Sequence, residues 1–450
     1  MVIYQVLPED RDGGAERIPE YLHKEFLKNG FESFMLVGEK HSNGNHIFEI
    51  PNFESRTLWA RKILSVERKI SNHLNFRGGW RIRELIKFIA EPKRMLKVWL
   101  GYEDFEFPGT WKIFDIAPKK PDIILCHVLH GFWLYDRGFF DLRAIPFISQ
   151  KAKLFLTLHD MWLFTGHCSH SLNCEKWQTG CGKCPDLSLP PQIRRDLSHK
   201  NWEIKRDIYR KSRYYVICPS EWMRNMVEKS ILKEGAIEIR VIHNGIDLKT
   251  FSPQNKEKKR KELELPENSK IFLTAGKSLK TNRWKGFADF ISFAKILSDE
   301  FENLVFIGLG ASQKKEVEKI GRKEGNFIFY LPFEQNHLRV RDFYSASDFY
   351  VQPSVAENFP LTILESQACG AVPSGRKVGA IPEIIKDMEN GILFSDIKEL
   401  YEKIKKVLKD EKLYNSIREK GIENSKKFDI KEKAKEYIEF FISAVEKQNA

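Results

Sequence analysis

The chain has 450 residues, room for two to three domains at about 150 residues each, and its 42% apolar content is enough for real cores. It carries 74 Lys/Arg against 62 Asp/Glu, a formal charge of +12. No uncharged apolar run reaches about 18 residues, and no basic region leads into a long apolar core at the start. These features argue against a membrane-spanning helix and a signal peptide and make the cytoplasm the expected location. No repeat or low-complexity segment is evident.

Apolar strand-like runs alternate with helical stretches: Val2–Leu7, Asp122–Val128, Leu154–Leu158, Tyr214–Cys218, Ile271–Ala275, Leu304–Gly308 and Phe327–Leu331. Such alternation predicts βαβ units and parallel sheets, an α/β protein. The first run leads into Asp12-Gly13-Gly14-Ala15-Glu16-Arg17 and an amphipathic helix. Two glycines there permit a tight turn and close approach of backbone to an anion, although an ordinary turn is the plainer reading. This is not the G-x-G-x-x-G dinucleotide fingerprint, which disfavours a dehydrogenase.

Between Arg56 and Lys97 stand twelve Lys/Arg against three Asp/Glu, with Trp59, Phe76, Trp80, Phe88 and Trp99 in or beside the stretch. Cations mixed with aromatics suit an anionic membrane surface or nucleic acid, and a solvated helical face is the bland alternative. Next, Cys126-His127-Val128-Leu129-His130-Gly131 ends one strand and Thr157-Leu158-His159-Asp160 the following one. Ligands of open α/β sheets bind at that carboxyl edge. Without further context a lone histidine there is more often structural. His127 and His130 are evenly balanced between acceptor contact and structural hydrogen bonding.

Directly after comes Cys168-x5-Cys174-x6-Cys181-Gly-Lys-Cys184. The Cys-x2-Cys knuckle brings two thiolates to one ion, and Cys168 and Cys174 complete a tetrahedron, with His167 and His170 in reserve. Structural zinc is one reading, disulfides or free thiols the others. Cys126, Cys218 and Cys369 fall in strand or helix patterns and read as small core residues.

A seam is expected near residue 240, where Asn244-Gly245 signals a turn and a charge run, Gln254–Lys261, a surface connection. Beyond it, Gly276-Lys277 and Arg283-Trp284-Lys285-Gly286-Phe287 follow a strand, and their cations suit a leaving diphosphate. Further on, the run from Asp348 looks like a strand entering a loop, with Glu357 and Glu365 straddling the start of a helix. Pro360 suits its first turn and Gly370 its exit, with Glu365 about two turns along. A helix start attracts phosphate, so one carboxylate would face a sugar and the other a ribose. A lone E-x7-E is usually just a solvated helix face.

The flanking residues argue otherwise. Glu357-Asn358-Phe359-Pro360-Leu361, the Glu365-to-Gly370 segment and Gly379-Ala-Ile-Pro-Glu together resemble the donor block of retaining GT-B glycosyltransferases of family 4. That resemblance implies two Rossmann-like parallel-sheet domains facing a cleft. Residues 1–240 would form the acceptor-side domain, with a basic insertion at about 54–113 and the cysteine cluster at 168–184. Residues 241–425 would bind the nucleotide-sugar, and the helix at 426–450 would cross back to the first domain. It places Glu357 on the transferred sugar, Glu365 on the ribose, Gly13 and Gly14 under the phosphates and His159 at the donor sugar. Lys285 resembles the family's phosphate-binding lysine, while Lys277 and Arg283 compete for the arginine's place. The segments around Trp162 and Trp177 resemble an exopolysaccharide subgroup that includes colanic-acid-type transferases.

The implied activity is transfer of a sugar from a UDP- or GDP-sugar to a glycan or lipid-linked acceptor, with retention and no cofactor for catalysis. A clear Asp-x-Asp motif is absent, in keeping with that. Peripheral contact with the inner face of an anionic membrane is a further expectation. The alternatives are a nucleotide-sugar epimerase or hydrolase of the same fold, and a zinc-bearing nucleic-acid-binding protein. The last is disfavoured, since nothing in nucleic-acid binding calls for Glu357 and Glu365 at a helix start. One departure stands out: Ser374-Gly-Arg-Lys-Val replaces an apolar strand usual before the glycine-proline segment, which questions the local pocket wall.

Overall fold

The computed structural model describes residues 1–10, 17–74, 76 and 78–447. Contacts divide the chain into two units. The first comprises Met1–Pro219, Arg224–Val241 and the chain from Ile438, the second Ser220–Met223 and Ile242–Tyr437. The last helix, Ile430–Glu446, is therefore shared between them, changing allegiance at Ile438.

Seven strands build the sheet of the first unit: β1 (Val2–Glu9), β2 (Glu32–Glu39), β3 (Ile47–Glu49), β4 (Ile123–Cys126), β5 (Lys153–Thr157), β6 (Tyr214–Cys218) and β7 (Ala236–Val241). Their order is β3-β2-β1-β4-β5-β6-β7, every pairing parallel. Strand order reverses beside β1, the kind of switch point where open sheets take ligands. Strands β4 and β6 are buried along their whole length, which explains why they read as unbroken apolar runs. From the last helix, Phe440 and Phe441 pack edge-on against Phe155 of β5 at 5.2 and 4.7 Å.

Between β3 and β4 the chain forms helices Leu58–Ile70, Gly79–Ala90 and Pro92–Leu100. Thr57 caps the first by accepting from the Ala60 amide. Ala60, Leu64 and Ala90 form a small core there. Much of the remaining apolar surface of these helices faces out, including Trp59, Trp80, Leu85 and Trp99.

The sheet of the second unit comprises β8 (Lys270–Ala275), β9 (Leu304–Leu309), β10 (Glu316–Lys319), β11 (Phe327–Leu331), β12 (Phe349–Gln352), β13 (Val372–Arg376) and β14 (Ile392–Phe394). The order is β10-β11-β9-β8-β12-β13-β14, parallel except for the antiparallel edge strand β10. Phe272 stacks between Phe306 and Phe349 at 5.2 and 4.8 Å in its centre. Buried Asp348 pins β12 to β8: it accepts from the Ile271 amide (2.8 Å), Lys256 (2.9 Å) and Arg260 (2.7 Å).

The segment Ser374-Gly-Arg, unlike its expected apolar counterpart, still forms part of a strand. A side chain at Gly375 would stand 2.6 Å from Ile381, so the small residue is a packing requirement. Arg376 reaches the Pro353 carbonyl at 3.2 Å and pairs with Asp289.

Candidate functional site

In the second unit, Glu357 leaves the carboxyl end of β12 in a loop held from three directions. Lys285 Nζ reaches its Oε1 at 2.8 Å, and Gln352 Nε2 donates to the same oxygen at 2.7 Å. Gln352 is itself fixed, donating to Ser354 Oγ at 2.7 Å and accepting from Tyr350 and Thr362. The third constraint is backbone. Gly379 has φ +54, and a Cβ there would fall 1.6 Å from the Glu357 carbonyl oxygen. Only glycine permits that contact. Likewise Gly286, φ +60, lies where a Cβ would be 2.1 Å from the Pro353 carbonyl, which seats the Lys285 turn against the same loop.

Helix Leu361–Cys369 follows, closed by Gly370 at φ 83. Pro360 is its capping residue, one position before the expected first turn. Glu365 lies little more than one turn along, not two. It is 1% exposed and accepts from Tyr344 at 3.3 Å. Phe359 is buried and stacks on His243 at 5.2 Å, which orders the entry to the helix. Asn358 and Leu361 occupy the same turn. Lys277 and Arg283 are both exposed, Arg283 lying over the Trp284 ring at 5.1 Å. Gly13 and Gly14 lie outside the described residues.

In the first unit the histidines at the ends of β4 and β5 meet. His159 Nε2 and His127 Nδ1 are 3.1 Å apart, and His127 Nε2 lies 3.1 Å from Gln5 Oε1. With the Gln5 oxygen accepting, His127 holds its proton on Nε2 and His159 donates from its own Nε2. Burial pushes His159 down to about 4 and His127 well below the usual imidazole range, so both are neutral near pH 7. His127 is 2% exposed and is a hydrogen-bonding partner of His159.

The other histidine, His130, lines a broad cavity and bonds Asp160 at 2.6 Å. Burial alone would raise Asp160, but His130 and the Trp162 amide hold it below the usual carboxylate range. Trp80, Trp99, Trp133, Trp162 and Arg194 line the same cavity. Below Trp162 lies the buried pair Lys205–Glu103, 2.8 Å apart. Neither Gln352 nor this pair is marked by a motif. For Gln352 the available signal was a polar side chain ending an apolar strand.

All seven cysteines are free thiols, so the disulfide reading is not met. Cys168, Cys174, Cys181 and Cys184 line one small pocket with His167, whereas His170 is not among its lining residues. Among the described residues, no three His, Cys, Asp or Glu side chains are placed close enough together to share a metal ion.

The family described as "Glycosyltransferase Family 4" matches residues 12–250, and "Glycosyl transferases group 1" matches residues 255–424. A putative colanic acid biosynthesis glycosyl transferase, WcaC, of Escherichia coli is 33% identical over 140 residues, 29% of this chain and 32% of that protein. The N,N'-diacetylbacillosaminyl-diphospho-undecaprenol alpha-1,3-N-acetylgalactosaminyltransferase of Campylobacter jejuni is 27% identical over 229 residues, 49% of this chain and 57% of that protein. The chain thus spans about a third to a little over half of these relatives. Among solved structures, Anabaena HepE in complex with UDP-glucose superposes with TM-score 0.58 at 14% identity, covering 98% of this chain and 99% of that one. The likeness shows that the fold is shared over the whole length. With its first half matched as one block and its donor motif in place in the second, the chain belongs to Glycosyltransferase Family 4.

Proposed function

We propose that this protein transfers a sugar from a nucleoside diphosphate, UDP- or GDP-linked, to an acceptor hydroxyl with retention of configuration, in the assembly of a polysaccharide or other cell-surface glycan. The observation that carries the reading is the Glu357–Lys285–Gln352 cluster at the carboxyl edge of the second sheet. Lys285 and Glu357 neutralise each other as they stand. A sugar diphosphate divides them, drawing the ammonium to phosphate and leaving the carboxylate for a sugar hydroxyl. Buried Glu365, steadied by Tyr344, takes the ribose hydroxyls.

As the bond from the anomeric carbon to the phosphate oxygen breaks, the acceptor oxygen bonds that carbon on the same face. The acceptor proton passes to the departing phosphate oxygen. Lys285 stabilises the charge that builds there, with Lys277 or Arg283 beside it. Neutral His159, its Nε2–H occupied by His127, positions the donor sugar and does not serve as an acid. A structural ion in the cysteine pocket would stand outside this step.

HepE was solved with UDP and with UDP-glucose, and the Campylobacter relative is named for a diphospho-undecaprenol substrate. These names favour a UDP-sugar and a lipid-linked acceptor. The cavity at His130, walled by tryptophans, suits sugar rings of the acceptor. The three inserted helices suit an anionic lipid surface, since exposed Trp59, Trp80, Leu85 and Trp99 stand among exposed Lys62, Lys69, Arg81 and Lys93. Among the described residues no helix is long and apolar enough to cross a membrane.

The test is calorimetric titration with UDP, GDP and their sugars, paired with transfer assays. Glu357→Gln is expected to bind nucleoside diphosphate at least as tightly as the parent, because Lys285 is released, while transfer falls roughly 10- to 150-fold, the equivalent of about 1.5–3 kcal/mol. Glu365→Ala should weaken nucleotide binding itself. Parent-like binding and turnover in both variants would sink the assignment.

A further inference from the structure

The cysteine loop, residues 165–198, has no part in the transfer as derived. Four thiols converge on one pocket from points up to sixteen positions apart, and His167 joins them. The arrangement around them is unlike that of idle core cysteines. His167 Nδ1 lies 2.9 Å from the Pro191 carbonyl, an acceptor only, so that nitrogen carries the proton. Its other nitrogen, Nε2, therefore presents a lone pair, and it stands 3.3 Å from Cys184 Sγ. In a tetrahedral zinc site with bonds of about 2.3 Å to sulfur and about 2.0–2.1 Å to nitrogen, neighbouring ligand atoms are roughly 3.5 Å apart. The observed spacing is that of one edge of such a site, with the backbone hydrogen bond that orients a zinc-bound imidazole already made.

Burial raises the Cys181 and Cys184 thiols, and backbone hydrogen bonds from Gly166 and Asp186 offset part of that rise. The turn between them is left-handed at four successive residues, Gly180 to Lys183, which folds the knuckle back on itself. Buried Lys205 adds a positive charge close to Cys168 and Cys181.

We propose that this pocket binds one structural zinc ion, with His167 and Cys184 as one edge and two further thiolates from Cys168, Cys174 and Cys181. Closing the set calls for rotation of the thiols about χ1, since no three candidate ligands yet lie close enough together. Each bound thiol gives up its proton to solvent as its sulfur takes the metal. The ion acts at a distance from the donor chemistry. His167 and Ser169 bond the Pro191 and Pro190 carbonyls, and Ser188 with residues 190–194 forms one wall of the cavity at His130. Zinc would thus brace the acceptor side of the first unit.

The test uses the full chain purified without added metal. Elemental analysis is expected to give close to one zinc per chain. Exchange for cobalt should yield the intense visible bands of a tetrahedral site together with a sulfur-to-cobalt charge-transfer band. Stripping the zinc with a thiol reagent and chelator, then reducing, should lower the melting midpoint. Zinc should restore it, and the titration with nucleoside diphosphate should be unaltered throughout. The double variant Cys181→Ser/Cys184→Ser should retain no zinc; if it does not fold, the stripping and restoration of the parent decide alone. Metal-free parent protein with four freely titrating thiols, a Cys181–Cys184 disulfide, or zinc retained by a folded double variant would each overturn the proposal.

Discussion

The two units hold their working polar groups by opposite means. In the second, Glu357 and Asp348 each have cations placed against them, Lys285 for the one, Lys256 and Arg260 for the other. In the first, the chain from Gln5 through His127 to His159 contains no charge at all and is kept neutral by burial. A carboxylate with a partner can exchange that partner for a ligand's phosphate or hydroxyl. A neutral imidazole chain has nothing to exchange, and serves to hold a ring in place. The difference separates a region held by charge pairs from one held neutral in advance.

Removing a charge where charges are paired should do the greatest damage. Asp348→Ala strands Lys256 and Arg260 beside the sheet and is expected to cost about 3–5 kcal/mol. Scanning calorimetry should show a lower transition for the second unit, and an unchanged profile would mean that the pairing contributes little there.

Acid should distinguish the units next. The folded state depresses His127 and His159 below the ordinary imidazole value of 6.5. Below pH 6.5 the unfolded chain therefore binds protons that the folded chain refuses. The stability from this source is complete above pH 6.5 and is lost as pH falls towards about 4, where His159 titrates. Asp348 is held below its ordinary 3.8 despite burial, by Lys256 and Arg260, so its contribution is lost only in stronger acid. Between pH 6.5 and 4.5 the first unit should lose on the order of 1–3 kcal/mol while the second changes little. His127→Gln should flatten that dependence. If both units lose stability in parallel and the variant behaves like the parent, the neutral chain is not what burial makes it.

Counted per residue, the smallest effect concerns the inserted helices. Glutamate at Lys62, Lys69, Arg81 and Lys93 should weaken binding to phosphatidylglycerol vesicles by roughly 1 kcal/mol per charge removed, most visibly at low salt. Sedimentation that is equal for parent and variant would make this an ordinary solvated face.

That choice of residues shows what the sequence could not say. Twelve cations in the stretch read as one surplus. In the structure Arg83 is bound to buried Glu67, Lys87 to Asp136, Arg56 to Glu91 and Arg94 to Asp104, so these four hold the helices together. Charge counting sees composition and not pairing. The seven apolar runs were legible because strands buried on both faces have little freedom of composition. Strand β10, with the sequence Glu-Val-Glu-Lys, lies exposed at the edge, where no such constraint applies. Similarly, Glu357 and Glu365 stand within one contiguous motif, but the cavity at His130 draws on residues from Glu39 to Arg194. No local pattern marks side chains that only the fold brings together.

The division of the last helix has a practical consequence for anyone exchanging domains between relatives. Phe440 and Phe441 belong to the core of the first unit, and Lys447 reaches Glu238 at 2.8 Å. A fragment ending at Val241 would expose Phe155 and Tyr215 where those rings now lie. A chimera that replaces the second unit must therefore be joined twice, once near residue 242 and again near 438, so that the parent keeps its own closing segment.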